Sequence, residues 1–286
     1  MTEIKKQKAS EKIRYYKNEN GPEIGVTQQQ VICEDGLYFR DINGDGKLNT
    51  YKDWRKSPKE RAKALAAELS VDEKIGQLFL SSWKMGIEQE DKEFVDETGL
   101  LDEKPVEKGS SIFAVNSTVG TTETIKDWKV RHFILRGNPK PDELADWINE
   151  MNSVAEEGEH FLPVLVISNS RNENGEVVFG MNDASGVFAA WPGTLGIAAA
   201  VKGAGAELID DFASCIRREW DAVGMKKGYM YMADCMTDPR WQRTYGTFGE
   251  DSQLISEILE RLIPGVQGSE EGVTADGVAK IGRAHV

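Results

Sequence analysis

The chain has 286 residues, 40% hydrophobic and 29% charged, a balance that fits a folded protein and excludes an intrinsically disordered one. That length allows one large domain or two smaller ones. Its 48 acidic against 35 basic residues leave a net charge of −13, which repels phosphate backbones and argues against a nucleic-acid partner. The three cysteines, Cys33, Cys215 and Cys235, are odd in number and far apart, so neither a disulfide framework nor a paired-cysteine metal site is expected. Cys215 and Cys235 read as small buried hydrophobes. No stretch is apolar enough for a bilayer, and no membrane partner is expected.

Residues 1–36 are polar with little periodicity and read as a poorly ordered or surface-wrapping arm. The start, MTEIKKQKASEKIRYYKNEN, has charge but no apolar core region. No secretory signal is visible, so a cytoplasmic location is expected for the chain as written, with periplasmic and secreted locations still open. The segment DINGDGKLNTYKDWR follows. Asp41, Asn43 and Asp45 alternate as in the start of a calcium loop, Gly46 takes the sharp turn, and Lys47 and Asn49 supply the next two positions. Position twelve is then Lys52, where a bidentate glutamate belongs, and Asp53 comes one residue late. A tight turn bonded to its own backbone is the preferred reading, with structural calcium second; no other cofactor is expected.

SPKERAKALAAEL opens a helix through a Ser57/Glu60 capping box with Pro58 in the first turn, and Ala62, Leu65, Ala66 and Leu69 form the expected buried stripe. Ser70 and Glu73 repeat the box, leading into an apolar run from Ile75 to Leu80. Residues 84–110 are acidic and irregular. SSIFAVNSTV reads as a strand. KPDELADWINEMNSVAEEG is an amphipathic helix with Leu144, Trp147, Ile148, Met151 and Val154 on one side. LPVLVISNS reads as a buried parallel strand. A helix over 203–223, a strand at YMYMADCM, a helix at SQLISEILERLIPGVQG and a further strand at DGVAKI complete the order. Strands alternating with helices predict an α/β fold with a parallel sheet, either open and doubly wound or a (β/α)8 barrel. In both, chemistry belongs to the loops after the strands' C-terminal ends, where SNSRNENG and TDPRWQRTYG stand.

The strip DPRWQRTYGTFGED, residues 238–251, gathers Arg240 and Arg243 beside Trp241 and Tyr245. Guanidinium forks suit carboxylates, phosphates and adjacent sugar hydroxyls, and aromatic faces stack on sugar rings. Pairing with Asp238, Glu250 or Asp251 would serve only the loop, a role that suits Arg240 better than Arg243. Asp234, closing a predicted strand, faces the pocket or anchors Arg240, with the anchor preferred. His132 and His160 read as solvated. Asp142, Glu143, Glu156 and Glu157 read as helix-end or solvated carboxylates.

This strip resembles the signature of glycoside hydrolase family 3, the β-glucosidase-like enzymes. Agreement in order and spacing extends to DINGDGKLNTYKDWRKSPKERAKALAAELSVDEKIGQL, LPVLVISNSRN, WPGTLGIAAA and LIPGVQG, so the resemblance covers about 41–279. It implies a (β/α)8 TIM-type barrel, here incomplete over 37–280, and hydrolysis of terminal β-linked sugars with retention through an aspartate nucleophile and a glutamate acid/base. The implied substrate is a small oligosaccharide or β-glycoside. The family's sugar-binding arginine falls on Arg243. Its aspartate after the earlier strand falls on Asn169, a departure that keeps an acceptor and loses the charge. Arg171 reads either as lining the same mouth or as a surface arginine, and Asp234 is the further candidate there. No Lys-His-Phe segment, nucleophile or acid/base can be placed. Both catalytic carboxylates are therefore expected beyond Val286, and this fragment is expected to be poorly stable and inactive. The last six residues, IGRAHV, read as a translated sequencing adapter, ATC GGA AGA GCA CAC GTC, and as a non-native tail. The alternative from a different class is a non-catalytic carbohydrate- or calcium-binding module.

Overall fold

The computed structural model describes residues 7–83, 85–88, 90, 92–110, 119–172 and 188–280. The strand expected over SSIFAVNSTV lies mostly outside them, as does the expected tail 281–286. The helices and strands are β1 (Arg14–Tyr16), β2 (Ile24–Val26), β3 (Val31–Glu34), β4 (Leu37–Arg40), α1 (Pro58–Glu68), α2 (Val71–Gly76), β5 (Leu80–Trp83), α3 (Thr121–Lys126), β6 (His132–Leu135), α4 (Pro141–Ala155), β7 (Leu165–Ser168), α5 (Thr194–Ala204), α6 (Leu208–Ala222), β8 (Lys227–Gly228), α7 (Ser252–Gln267) and β9 (Ala279–Lys280). None of the described helices is long and apolar enough to cross a membrane. The chain divides into two compact units, Met1–Phe133 with Asp146–Val164, and Ile134–Ala145 with Leu165–Val286.

In the first unit, the stretch expected as an arm contains β1, β2 and β3, with β1 paired antiparallel to β2 and β3 to β4 just past the arm's end. Glu34 pairs with Leu37 across Asp35 and Gly36, whose φ angles are +53° and +77°. Two consecutive positive φ values make the turn whose twist suits a hairpin, and Asp-Gly is the dipeptide that adopts it at least cost. These pairs are anchored by one carboxylate. Glu156 accepts hydrogen bonds from the amides of Thr27, Gln28 and Gln29, from the Thr27 hydroxyl, and from Arg40 Nη1 at 2.7 Å. Burial pushes its carboxyl up, but these donors outweigh burial and hold it below its usual value. Glu156 is only 8% exposed, which corrects its expected place on a solvated face. From a sequence alone, a glutamate one residue past a helix looks solvated; the docked hairpin bury it.

Both capping boxes form. Ser57 and Ser70 accept from the amides of Glu60 and Glu73, whose carboxylates bond back to the serine amides. The expected buried stripe of α1 does not: the helix buries no residue, and of its apolar side only Leu69, at the C-cap, is covered. His160 is likewise corrected from solvated to buried, with Nδ1 3.1 Å from Glu73 Oε1. Arg131, also buried, donates to the carbonyls of Ile125, Val130 and Leu162, and burial pulls its guanidinium down to about 10.

In the second unit β7 pairs in parallel with β8, and β8 with β9, in registers Ile167↔Lys227 and Lys227↔Ala279. Strand order follows chain order through β6-β7-β8-β9. Strands this short need cover, which α6 and α7 supply. Phe212, Ala213, Ile216 and Trp220 of α6 and Ile258, Leu262 and Val266 of α7 are each fully buried. Burying each large side chain stabilises the fold by roughly 1.5–3 kcal/mol. The helices approach closely because Gly265 faces Ala213; a Cβ at 265 would lie 2.6 Å from that of Ala213. The strand expected at YMYMADCM is displaced: β8 ends at Gly228, and Met230, Tyr231 and Met232 are buried loop residues. Their apolarity reflects burial under the loop rather than a ladder. Cys215 and Cys235 are half-buried rather than enclosed. The fold is thus mixed α/β with parallel strands; closure into a barrel is not seen among the described residues.

Candidate functional site

Parallel neighbours send their following loops out at the same end, so the C-terminal ends of β7, β8 and β9 define one edge of the second unit. Asn169 follows β7 directly, the 229–251 loop follows β8, and Lys280 ends β9. Asn169 is half-exposed, and its side chain makes no hydrogen bond among the described residues. The next residues are used structurally. Arg171 is 5% exposed; it donates to Ser168 Oγ at 2.7 Å, the Gly137 carbonyl at 2.8 Å and the Leu135 carbonyl at 3.4 Å. Its fork therefore ties the loop after β6 to the end of β7. Asn172 accepts from Trp220 Nε1 and donates to Glu219 and the Ala189 carbonyl. Residues 173–187 lie outside the described residues.

The loop after β8 folds back on itself. Arg240 bonds Asp238 through its amide, Nε and Nη2, and this fork holds the Asp238 carboxyl below its usual value. The pairing is with Asp238, not with Asp234. Thr244–Gly246 form a single 3-10 turn, Thr247 caps it, and the Met236 amide reaches the Gly249 carbonyl at 2.8 Å, closing the loop at its base. Asp251 then caps α7 through the amides of Gln253 and Leu254. Beneath this loop runs a line of tilted aromatic rings, Trp191, Phe212, Tyr231 and Phe248, with successive centroids 5.0, 5.5 and 6.0 Å apart. Ser170 bonds the Tyr231 hydroxyl at 3.0 Å, linking the loops after β7 and β8.

Arg243 differs from Arg240. It is half-buried, and its guanidinium has no hydrogen bond or ion pair among the described residues. A rigid five-donor group held in a closed loop without a protein acceptor is suited to receive oxygens from a ligand. Asp234 is half-buried in the same loop, and Tyr245 is 40% exposed beside Arg243. Lys280 was not among the expected site residues. Burial brings its ammonium down to about 8, and Nζ lies 3.5 Å from the Tyr231 carbonyl. The signal was present, since a lysine ending a strand beside β8 must arrive at the same edge.

The calcium-like positions are brought together around a different cation. Lys52 Nζ lies 2.6 Å from Asp41 Oδ1, 2.5 Å from Asp45 Oδ1 and 3.0 Å from the Lys47 carbonyl. Asn43 and Asn49 bond Asp45, while Asp53 turns to Arg55, which it holds through both carboxylate oxygens. Among the described residues no cluster of histidine, cysteine, aspartate and glutamate has the arrangement of a metal site. A cavity of about 430 Å³ opens in the first unit between Asp96, Glu103, Glu150, Glu157, Lys12 and Lys126, and none of the strand-end residues lines it. Burial raises the Glu103 carboxyl there, against the hydrogen bonds from Thr122.

The chain is 31% identical over 253 residues to a periplasmic β-glucosidase/β-xylosidase of Dickeya chrysanthemi, covering 88% of this chain and 35% of that protein. It is 32% identical over 223 residues to a probable β-glucosidase C of Aspergillus oryzae, covering 78% and 31%. The chain thus spans about a third of the length of these relatives. Among solved structures, a β-glucosidase of Erythrobacter marinus superposes with a TM-score of 0.56 at 18% identity, over 82% of this chain and 26% of that one. A β-N-acetylglucosaminidase of Paenibacillus gives 0.51 at 18%, over 75% and 33%; both show likeness of fold alone. The parallel strands, the strip after β8 and the match of residues 70–283 to the glycosyl hydrolase family 3 N-terminal domain together place this chain in glycoside hydrolase family 3.

Proposed function

We propose that this chain is the N-terminal part of a retaining, exo-acting β-glycosidase, β-glucosidase-like in specificity, whose substrates are small oligosaccharides or β-glycosides. Its strands form part of a (β/α)8 barrel. The observation that carries the reading is the contrast between two arginines in one loop. Arg240 is neutralised by Asp238, whereas Arg243 keeps its donors for a ligand at the strand-end edge. In this reading Arg243 donates to adjacent hydroxyls of one pyranose, and Asn169 offers an amide in place of a carboxylate. Asp234 and Lys280 frame the same sugar, while Arg171 holds the loop after β7 in position.

In this reading the aspartate nucleophile and glutamate acid/base come from the remainder of a protein as long as the relatives, of which this chain covers about a third. Hydrolysis then runs by attack of the aspartate on the anomeric carbon, protonation of the leaving oxygen by the glutamate, and release by water. The test is expression of the complete reading frame with chromogenic β-glucoside, β-xyloside and β-N-acetylglucosaminide. Turnover of the first or second with retained anomeric configuration supports the proposal; turnover of none defeats it.

A further inference from the structure

The Asp41–Lys52 loop has the alternating oxygens and positive-φ glycines of a calcium loop, with Gly44 and Gly46 both at +70°. A calcium ion takes six to eight oxygens, with a bidentate carboxylate at position twelve. Here position twelve delivers a cation. The Lys52 side chain is 0% exposed, and its three N–H donors meet three acceptors: Asp41 Oδ1, Asp45 Oδ1 and the Lys47 carbonyl. These are the oxygens of positions one, five and seven. The loop secures the carboxylates from behind. The Gly46 amide bonds Asp41 Oδ2 at 2.9 Å, and the Lys47 amide bonds Asp45 Oδ1 at 2.8 Å. The Lys52 hydrogen bond, aided by that amide, holds the Asp45 carboxyl below its usual value.

We infer that this is a calcium-type loop whose cation is the chain's own Lys52 ammonium, tethered at the position of the missing ligand, so that the loop is built without metal. Charge agrees. Two carboxylates and one ammonium leave a single negative charge, and so would three carboxylates around a divalent ion. One side-chain exchange should therefore change the occupant. With glutamate at 52, the oxygens of Asp41, Asp45 and Lys47 are released to a metal, and Asn49 Oδ1 is available at position nine. That atom is buried and has no hydrogen-bond partner among the described residues. A metal entering the native loop would have to expel a buried ammonium from all three acceptors.

Two measurements on the intact protein test this. Amine acetylation followed by peptide mass spectrometry should label Lys52 at least tenfold more slowly than exposed Lys63, with the same rate in millimolar calcium chloride and in chelator. A Lys52 that reacts as fast as Lys63, or faster once calcium is added, overturns the inference. The variant Lys52→Glu should acquire a calcium-dependent rise in thermal midpoint and a calorimetric binding signal, both absent from the native protein. A folded variant that ignores calcium shows that the loop is not of calcium type and also overturns it. Should the variant fold only when calcium is present, that dependence is itself the expected gain. If it folds in neither condition, the native labelling rates decide. None of these readouts involves glycoside turnover, so the result stands apart from the enzymatic proposal.

Discussion

The two units are held together in different ways. In the second, α6 and α7 meet through fully buried side chains across the close approach of Gly265 to Ala213. In the first, a core around Phe39, Leu101, Ile125, Trp147 and Met151 is joined by polar fixed points: Glu156 under the hairpins, Lys52 inside its loop, and serine–glutamate boxes opening α1 and α2. The apolar side chains of α2 and the residues just after it stay outside, although Phe39, Trp147 and Met151 of the same unit are fully buried. Val71, Ile75, Leu78, Phe79 and Leu80 are 69%, 45%, 85%, 57% and 50% exposed. All four helices are amphipathic or well capped, so the difference is not one of propensity. Caps set where a helix starts, whereas stability from an apolar face requires something to cover it.

Substitutions can break this contrast. The largest effect is expected for Trp220→Ala, which empties a fully buried site and removes the bond to Asn172; about 3–5 kcal/mol should be lost in denaturant unfolding. Glu156→Ala should cost about 3 kcal/mol, because the Thr27, Gln28 and Gln29 amides lose their acceptor and Arg40 its counter-charge. Glu156 also sets a pH dependence. Its folded pKa lies below the ordinary 4.5, so its contribution is complete above that value and disappears as pH falls through the folded pKa. Amide exchange in residues 24–40 should accelerate in that acidic window, and Glu156→Gln should remove the pH dependence. Ser57→Ala should cost about 1 kcal/mol, the worth of a cap on a helix that buries nothing. The smallest effect is expected at Leu78→Ser: within about 0.5 kcal/mol in stability, with reduced binding of a hydrophobic dye.

Much of the helix packing in both units was legible because its signals are local and periodic. The buried face of α4 follows from Leu144, Trp147, Ile148, Met151 and Val154, all buried, and the inward positions of α6 and α7 are read the same way. Both capping boxes follow from serine–glutamate spacing. The Asp35-Gly36 turn signal stands in the sequence between Val31–Cys33 and Leu37–Phe39, but the polar residues around it mask the strand alternation. Glu156 and His160 could not be placed, since their burial depends on partners more than eighty residues away in sequence. The stretch 229–236 misled for the opposite reason: an apolar run signals burial, and a loop folded over aromatic rings satisfies it as well as a strand. At the candidate site, the sequence separated Arg240 from Arg243 by role, and the structure adds the partner, Asp238. The structural use of Arg171 depends on carbonyls after β6, which no sequence pattern announces.

The most direct test compares those two arginines in the protein expressed from the complete reading frame. With a chromogenic β-glucoside, Arg243→Ala should lower kcat/KM about 100-fold or more, the loss of a charged hydrogen-bonding pair to the sugar, while Arg240→Ala stays within about threefold of the parent. Equal losses from both, or a larger loss from Arg240→Ala, would contradict the account.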